Sequence, residues 1–334
     1  MRNYQAIHLF VIFLLLLALG GLPPIRPSIK ALAQYRTTIR VFDQSPQARP
    51  VGAAPVTLTR VDVTPNVITH EITSAGGEIV DTFDEGTYDI VATSPNALYG
   101  KPATEITSTA HIQIPLSSGE VDLLLPIFDV TVTLVTPSRR SIVGATVTVG
   151  GHSETTDSSG DAVFPSIPSG SYTVAASWFG LNINPTEPLV VTGSGTVRAT
   201  AGNIALVSVQ VVGAQSQGLS GANVVVKTGT TTVFNGVASS DGTVALELPY
   251  GTYDFSATYK SVTGDRTGVA IDSDTTVTIS TGIFIELFGQ ALSFAGFALY
   301  ATTILIVLAG LAFLLVRRKR HAAVPPPPPP PPTN

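Results

Sequence analysis

The chain of 334 residues has no cysteine, one methionine and one tryptophan, and only 12% of its residues are charged. The missing cysteine excludes disulfide staples, thiolate metal sites and a cysteine nucleophile. Any folded module must therefore be held by its own apolar core, which about 80 residues can supply. The charged share is about half the usual ~25%. Residues 34 to 282 contain no Asn-x-Ser/Thr acceptor, so N-glycosylation is not expected there, although the Thr-rich segments could carry O-linked sugars. They also contain no sustained 3.6-residue apolar period, which argues against helices in the body. No Gly-x-Ser-x-Gly elbow occurs. The five histidines (His8, His70, His111, His152, His321) are scattered, with no two at metal-ligand spacing. No catalytic, cofactor or metal site is expected, and an enzyme is not.

What charge there is lies unevenly. Residues 34 to 282 hold 11 Lys+Arg against 22 Asp+Glu, and the other basic residues are terminal: Arg2, Arg26, Lys30, Arg317, Arg318, Lys319 and Arg320. Nucleic acid needs a basic face, so an acidic body makes it an unsuitable partner. A solvated ectodomain fits better.

Two apolar runs frame that body. Leu9 to Leu22 is too short for a membrane span of about 20 residues but has the length of a signal-peptide core. Ala31-Leu32-Ala33 supplies small residues for cleavage before Gln34; an uncleaved anchor is the competing reading. Leu287 to Val316 contains no charge, and Ala291 to Val316 reads as a spanning helix ended by Arg317-Arg318-Lys319-Arg320. By the positive-inside rule that cluster stays in the cytoplasm, giving a single-pass type I cell-membrane protein with residues 34 to about 286 outside. Pro325–Pro332 then forms an extended polyproline rod. It is either a docking peptide for a cytoplasmic partner with an aromatic-lined groove or a plain spacer.

The body repeats. The word Gly-(Ser/Thr)-Tyr followed by alternating apolar residues occurs at Gly86-Thr87-Tyr88, Gly170-Ser171-Tyr172 and Gly251-Thr252-Tyr253, with spacings of 84 and 81 residues. A turn glycine precedes each by nine or ten residues (Gly77, Gly160, Gly242), and an Ala-x-Val word lies upstream at Ala54, Ala145 and Ala222. Short alternating runs such as Val130–Val135, Thr146–Val149 and Ala162–Phe164 are broken by turns at Asp157-Ser158-Ser159-Gly160 and Ser239-Ser240-Asp241-Gly242. About seven strands in about 80 residues predict a two-sheet sandwich. In the Gly-x-Tyr word, glycine is expected to let the chain bend sharply, and the tyrosine to pack its ring inward while its hydroxyl bonds backbone. The fold class is all-β: three tandem Ig-like or prealbumin-like sandwiches (34–119, 120–203, 204–282) behind a signal peptide (1–33). The transmembrane region (287–316) and the basic, proline-rich tail (317–334) follow.

Residues 144–174, with Gly-Ala-x-Val, then Asp-Ser-Ser-Gly-Asp-Ala-Val-Phe, then Ile-Pro-Ser-Gly-Ser-Tyr-Thr-Val, resemble the carboxypeptidase regulatory-like family. That family is close to the collagen-binding protein B-type and prealbumin-like sandwiches. The third copy matches nearly as well, and the first departs at Ala75-Gly76-Gly77-Glu78. The resemblance covers about three quarters of the chain and implies a fold more than a function, since such modules serve as stalks, adhesin parts and enzyme accessories. Some relatives lock each module with a Lys–Asn or Lys–Asp isopeptide bond. Residues 121 to 202 contain no lysine, and Lys101, Lys227 and Lys260 lie outside first strands, so no such bond is expected.

Other features have bland readings. Asp157-x-x-Gly160-Asp161 lacks the oxygen run of a calcium loop and reads as a turn. Asp84-Glu85 reads as a solvated tip, and His70-Glu71 as a solvated pair. The possible ligand contacts are Trp178 and Phe179, with Asn182 and Asn184 close behind, because exposed aromatics can stack on sugar rings; a tryptophan belonging to the core is the alternative. The functional expectation is a non-enzymatic, membrane-anchored stalk or spacer supporting an envelope protein. The alternative is an adhesin that binds glycan or protein.

Overall fold

A computed structural model describes residues 32–322. The Leu9–Leu22 run, Ala31 of the cleavage word and Pro325–Pro332 lie outside the described residues. The chain divides into two compact units. The first holds the described residues up to Phe42 with Pro50–Thr93 and Ser108–Leu124. The second holds Asp43–Arg49, Ser94–Thr107 and the described residues from Leu125 onward.

The strands fall into three sets of one topology. The first set is β1 (Gln34–Asp43), β2 (Pro55–Arg60), β3 (Val67–Ile72), β4 (Glu78–Asp84), β5 (Gly86–Thr93), β6 (Thr107–Ile114) and β7 (Glu120–Leu125). It forms sheets ordered β4-β1-β7 and β3-β2-β5-β6. The second set opens with β8 (Ile127–Val135), β9 (Thr146–Val149), β10 (His152–Thr155), β11 (Asp161–Pro168) and β12 (Gly170–Tyr172). It continues with β13 (Val174–Trp178), β14 (Leu181–Asn182), β15 (Leu189–Val191) and β16 (Gly195–Thr200). Its sheets are β11-β8-β16 and β10-β9-β13-β14, with a short β12-β15 pair. The third set is β17 (Ile204–Val212), β18 (Asn223–Thr228), β19 (Thr231–Val237), β20 (Thr243–Pro249), β21 (Gly251–Tyr259), β22 (Val262–Ile271) and β23 (Thr275–Ser280). It gives β20-β17-β23 and β19-β18-β21-β22. In the last two sets the opening strand pairs antiparallel on one side and parallel with the closing strand on the other.

Alternation explains the layers. Val130, Val132 and Leu134 of β8 point inward and are buried, while Thr131 and Thr133 between them are half-exposed; Val207, Val209 and Val211 of β17 repeat this. Each fully buried valine or leucine contributes about 1.5–3 kcal/mol of transfer free energy, which is how modules without a disulfide hold together.

The three turn glycines act alike. Gly77, Gly160 and Gly242 have φ of 74°, 83° and 80°, a left-handed conformation that other residues rarely adopt. Their carbonyls accept from the N–H of Val41, Leu134 and Val211, each at 2.8 Å. A Cβ at these glycines would meet the carbonyl oxygens of the same three residues at 2.7–2.9 Å. The backbone conformation and the close approach both demand glycine.

The uncharged run near the C-terminus begins differently from the expected helix. Ile283–Leu287 and Gln290–Ser293 form a hairpin, β24 and β25, and helix α1 spans Phe294–Ala322. Phe288 and Gly289 both take positive φ, which closes a two-residue turn. Ser293 then caps the helix, its Oγ accepting from the N–H of Gly296 at 3.2 Å. Within α1 the Thr302 and Thr303 hydroxyls donate to the carbonyls of Ala298 and Leu299, so neither stands unsatisfied on an apolar surface. Phe294–Lys319 is long and apolar enough to cross a membrane. None of its side chains is buried and most are exposed, Leu305 by 71%, so it is not a core helix.

Candidate functional site

The repeated words build three corners. The Tyr88, Tyr172 and Tyr253 hydroxyls donate to the carbonyls of Asp84, Pro168 and Pro249, four residues upstream, at 3.0, 2.8 and 2.7 Å. The rings are buried, as expected from the sequence. Burial pushes the Tyr172 phenol up to about 12, with Tyr99 adding to it, and raises Tyr253 further. These phenols are structural donors, not acids working near neutral pH.

The corner glycines divide. Gly170 takes a φ of 145°, a conformation other residues rarely adopt, in keeping with the expected bend, whereas Gly86 and Gly251 have no positive φ; all three are also sites of close approach. At Gly170 the Lys101 ammonium lies against the backbone and 5.7 Å from the centre of the Tyr172 ring. At Gly251 the Leu181 side chain occupies the space a Cβ would need. At Gly86 the Arg60 guanidinium and the Asp62 carboxylate do so. Arg60 is buried, donating to Asp62 at 2.8 Å and to the carbonyl of Glu85 at 2.6 Å. In the second unit, segment 94–107 brings Tyr99 as well as Lys101. Tyr99 is buried, donates to the carbonyl of Pro165 at 2.7 Å and lies over His152 at 4.2 Å between ring centres.

The second and third strand sets share a continuous junction. Only Ala201, Gly202 and Asn203 separate β16 from β17. The N–H groups of Ala201 and Gly202 donate to Val135 and Ile183, and the Asn203 carbonyl accepts from Tyr250. Ile204 belongs to one apolar core and Ala205 to the next. Beside this seam the Glu247 side chain, 8% exposed, accepts from the hydroxyls of Thr136 at 2.9 Å and Ser138 at 2.8 Å. Leu181, the first residue of β14 in the second set, packs against the core of the third.

A polar network holds segment 43–49. The buried Asp43 carboxylate accepts from Ser45 and from the backbone and side chain of Arg49, whose guanidinium also reaches Asp129 at 2.6 Å. Burial raises the Asp43 pKa, but these donors outweigh it and hold the carboxyl below its ordinary value.

Trp178 is half-buried against the second core; its indole N–H donates to the carbonyl of Val143 at 3.1 Å. It stacks on Phe179, ring centres 4.6 Å apart. The pairing Ser177↔Asn182 and Trp178↔Leu181 puts Asn182 on the opposite face of the hairpin from the indole. That opposite face carries a shallow cleft of about 320 Å³, with Thr146, Thr148, Ser177, Asn182 and Asn184 in its lining. The tryptophan drew attention in the sequence; the hydroxyls of Thr146 and Thr148, some thirty residues upstream, gave no signal there.

Other candidates resolve simply. The Asp157 carboxylate accepts from the N–H groups of Ser159 and Asp161, which with the N–H of Gly160 hold its pKa down: a turn. At Asp84-Glu85 the backbone carbonyls take the Tyr88 and Arg60 donors, and the Asp84 carboxylate accepts from Gln34 at 3.3 Å and lies 3.6 Å from the Arg60 guanidinium. His70 meets Thr57 at 3.2 Å on an exposed strand pair. Among the described residues, no group of three or more His, Asp or Glu side chains is placed to hold a metal ion.

No family model matches the chain. No curated protein matches it. Among solved structures it is similar to the Bacillus anthracis TIE protein, at 15% identity over 74% of this chain and 50% of that one, with a TM-score of 0.25. It is also similar to a streptococcal ancillary pilin, at 12% identity over 74% and 99% with a TM-score of 0.29. The open form of the pilus adhesin SpaC from Lactobacillus rhamnosus GG matches at 11% identity over 77% and 44%, TM-score 0.29. The chain spans half the length of the Bacillus anthracis protein and less than half of the adhesin.

Proposed function

We propose that the chain is a non-enzymatic, membrane-anchored surface protein: a stalk of carboxypeptidase regulatory-like modules that supports an envelope partner. The observation that carries this reading is the seam at Ala201–Asn203. There the two cores follow one another without a free linker, and Glu247 and Leu181 fasten one strand set to the next. A spacer needs such coupling, because a flexible joint would not fix the position of what it bears. The exposed apolar helix supports a single-pass anchor, and the basic residues after Val316 support a type I orientation with a cytoplasmic tail. On that orientation Pro325–Pro332 would be available to a cytoplasmic partner that binds polyproline.

The test is external protease on intact cells, paired with crosslinking. The stalk reading expects loss of the sequence before α1, retention of α1 with the membrane, and a surface protein crosslinked in stoichiometric amount. Resistance of residues 34–282 to the protease would overturn the orientation.

A second reading, an adhesin, has one observation in its favour: the cleft of hydroxyls and amides between Thr146 and Asn184, adjoining in sequence the Trp178–Phe179 pair. Sugars are bound by such convergent hydrogen-bonding groups. If the ectodomain binds envelope polysaccharide, and Asn182→Ala removes that binding, the adhesin reading replaces the stalk.

A further inference from the structure

The hairpin that leads into α1 carries a side chain the fold does not use. Phe288 is 92% exposed, the most exposed of the large apolar side chains among the described residues. It occupies the first position of a two-residue turn, with φ of 51° there and 78° at Gly289. That position suits asparagine or glycine, and a bulky aromatic is a poor choice for it. The turn itself does not account for this phenylalanine.

The rest of the hairpin is firmly held. Ile283 is buried in the third core, and Ala291 packs against it. The Gln217 side-chain amide donates to the carbonyl of Ile283 at 2.9 Å and to that of Phe284 at 3.3 Å. Glu286 pairs with Lys260 and accepts from the Tyr259 hydroxyl at 3.0 Å. The Phe284 ring packs on Phe294 and Phe297 of the helix, with ring centres 5.2 and 5.5 Å apart. The hairpin is therefore joined to the third strand set on one side and to α1 on the other, while the Phe288 ring at its tip stands exposed.

We propose that this tip is a membrane seat, with the Phe288 ring entering the outer interfacial layer of the bilayer that α1 crosses. The proposal rests on the spanning reading of α1. Phe294 to Val316 alone is about 34 Å long at 1.5 Å per residue, enough for a hydrocarbon core of about 30 Å, so the hairpin is not needed for the span. It falls instead at headgroup level, six residues before the helix. No charge occurs from Leu287 to Val316, so the tip carries no charge that would resist contact with the interfacial layer. Phe294, 64% exposed, and Tyr300, 52% exposed, add aromatic side chains at the start of the helix, where membrane proteins place aromatic belts. Because Glu286 and Gln217 fasten the hairpin to the third strand set, the seat would fix that set against the membrane surface instead of letting it swivel about the helix.

The experiment places the full chain in liposomes and reads tryptophan emission against lipids brominated either near the headgroup or at mid-chain. The native chain, whose single Trp178 lies in the second strand set, supplies the background. Phe288→Trp is expected to gain a blue-shifted signal that headgroup-proximal bromines quench more than mid-chain ones. Leu305→Trp, in the middle of α1, reports the span and is expected to be quenched most by mid-chain bromines. Quenching of Leu305→Trp without quenching of Phe288→Trp overturns the seat and leaves the span standing. Quenching of neither overturns both. A blue shift of Phe288→Trp that depends on protein concentration but not on bromine position assigns the tip to a second copy of the chain and overturns the lipid proposal.

Discussion

In the second strand set the Thr156 hydroxyl stands between two edges, accepting from the N–H of Ala145 at 2.9 Å and donating to the carbonyl of Ile142 at 2.7 Å. In the third, the equivalent position is Ala238, and the N–H of Ala222 turns to the carbonyl of Leu219 at a longer 3.3 Å. The equivalence is fixed by the backbone: Thr156 N–H donates to Ala145, and Ala238 N–H to Ala222. The first set uses the threonine, with Thr73 bonded to Ala54 and Val51, both at 2.8 Å. Two sets with one topology therefore satisfy the same buried groups differently. Topology is set by the alternating apolar strands and the left-handed turn glycines, which all three share. The side-chain pillar adds stability to a fold already specified.

The largest effect on this comparison should come from what the sets have in common. Gly160→Val and Gly242→Val each combine a left-handed φ with backbone closer than 3.0 Å to the new Cβ, so each should cost ~3 kcal/mol or more. Hydrogen exchange on the full chain should show the loss in the mutated set; equal protection in both variants and the native chain would remove the glycines from the argument.

Next comes the coupling between the two sets. Glu247→Ala removes an acceptor from the Thr136 and Ser138 hydroxyls and should cost about 2 kcal/mol. It should also split one cooperative unfolding transition into two, and a single unshifted transition would show that the seam needs no Glu247.

The pillar itself predicts opposite signs. Thr156→Ala leaves the Ala145 N–H and the Ile142 carbonyl without their partner and should destabilise by about 2 kcal/mol. Ala238→Thr should stabilise the third set by about 1 kcal/mol. A destabilising Ala238→Thr would mean that the third set has closed over the missing hydroxyl.

The smallest difference lies in pH dependence. The hydroxyls of Ser239 and Thr243 hold the Asp241 carboxyl down at about 2, below its ordinary value. The stability it adds is present above the unfolded carboxyl range, near 4, and is lost as the pH falls towards 2. Tyr172 has the opposite sign. Its phenol is raised to about 12, so the folded state keeps its proton, and stability falls as the pH rises from about 10 towards 12. Phenolate absorbance during an alkaline titration should show Tyr172 ionising well after an ordinary solvated tyrosine, at about 10. Simultaneous ionisation would contradict its burial.

Much of the fold was readable from residue order. Val130–Val135 and Thr146–Val149 alternate in the sequence and in the sheets, and the three Gly-x-Tyr words became three corners with identical hydroxyl bonds. The close approaches at the corner glycines were not readable, because Lys101 and Leu181 lie 69 and 70 residues before the glycines they cover. The cleft at Thr146 was hidden for the same reason: its hydroxyls and amides come from strands that meet only in the folded sheet. The helix start expected at Ala291 falls three residues later, at Phe294, because Leu287–Ser293 carries no charge to mark a boundary, and only the positive φ of Phe288 and Gly289 and the cap at Ser293 divide it.

The sequence by itself determined the all-β character, the repeat, the tyrosine corners and the apolar C-terminal segment, because each follows from periodicity or from a residue whose conformation is local. Only the tertiary structure decided what fills each corner, how the second and third strand sets are fastened, and which face of the β13–β14 hairpin Trp178 occupies. Those depend on side chains far apart in the chain, and no local preference encodes their meeting.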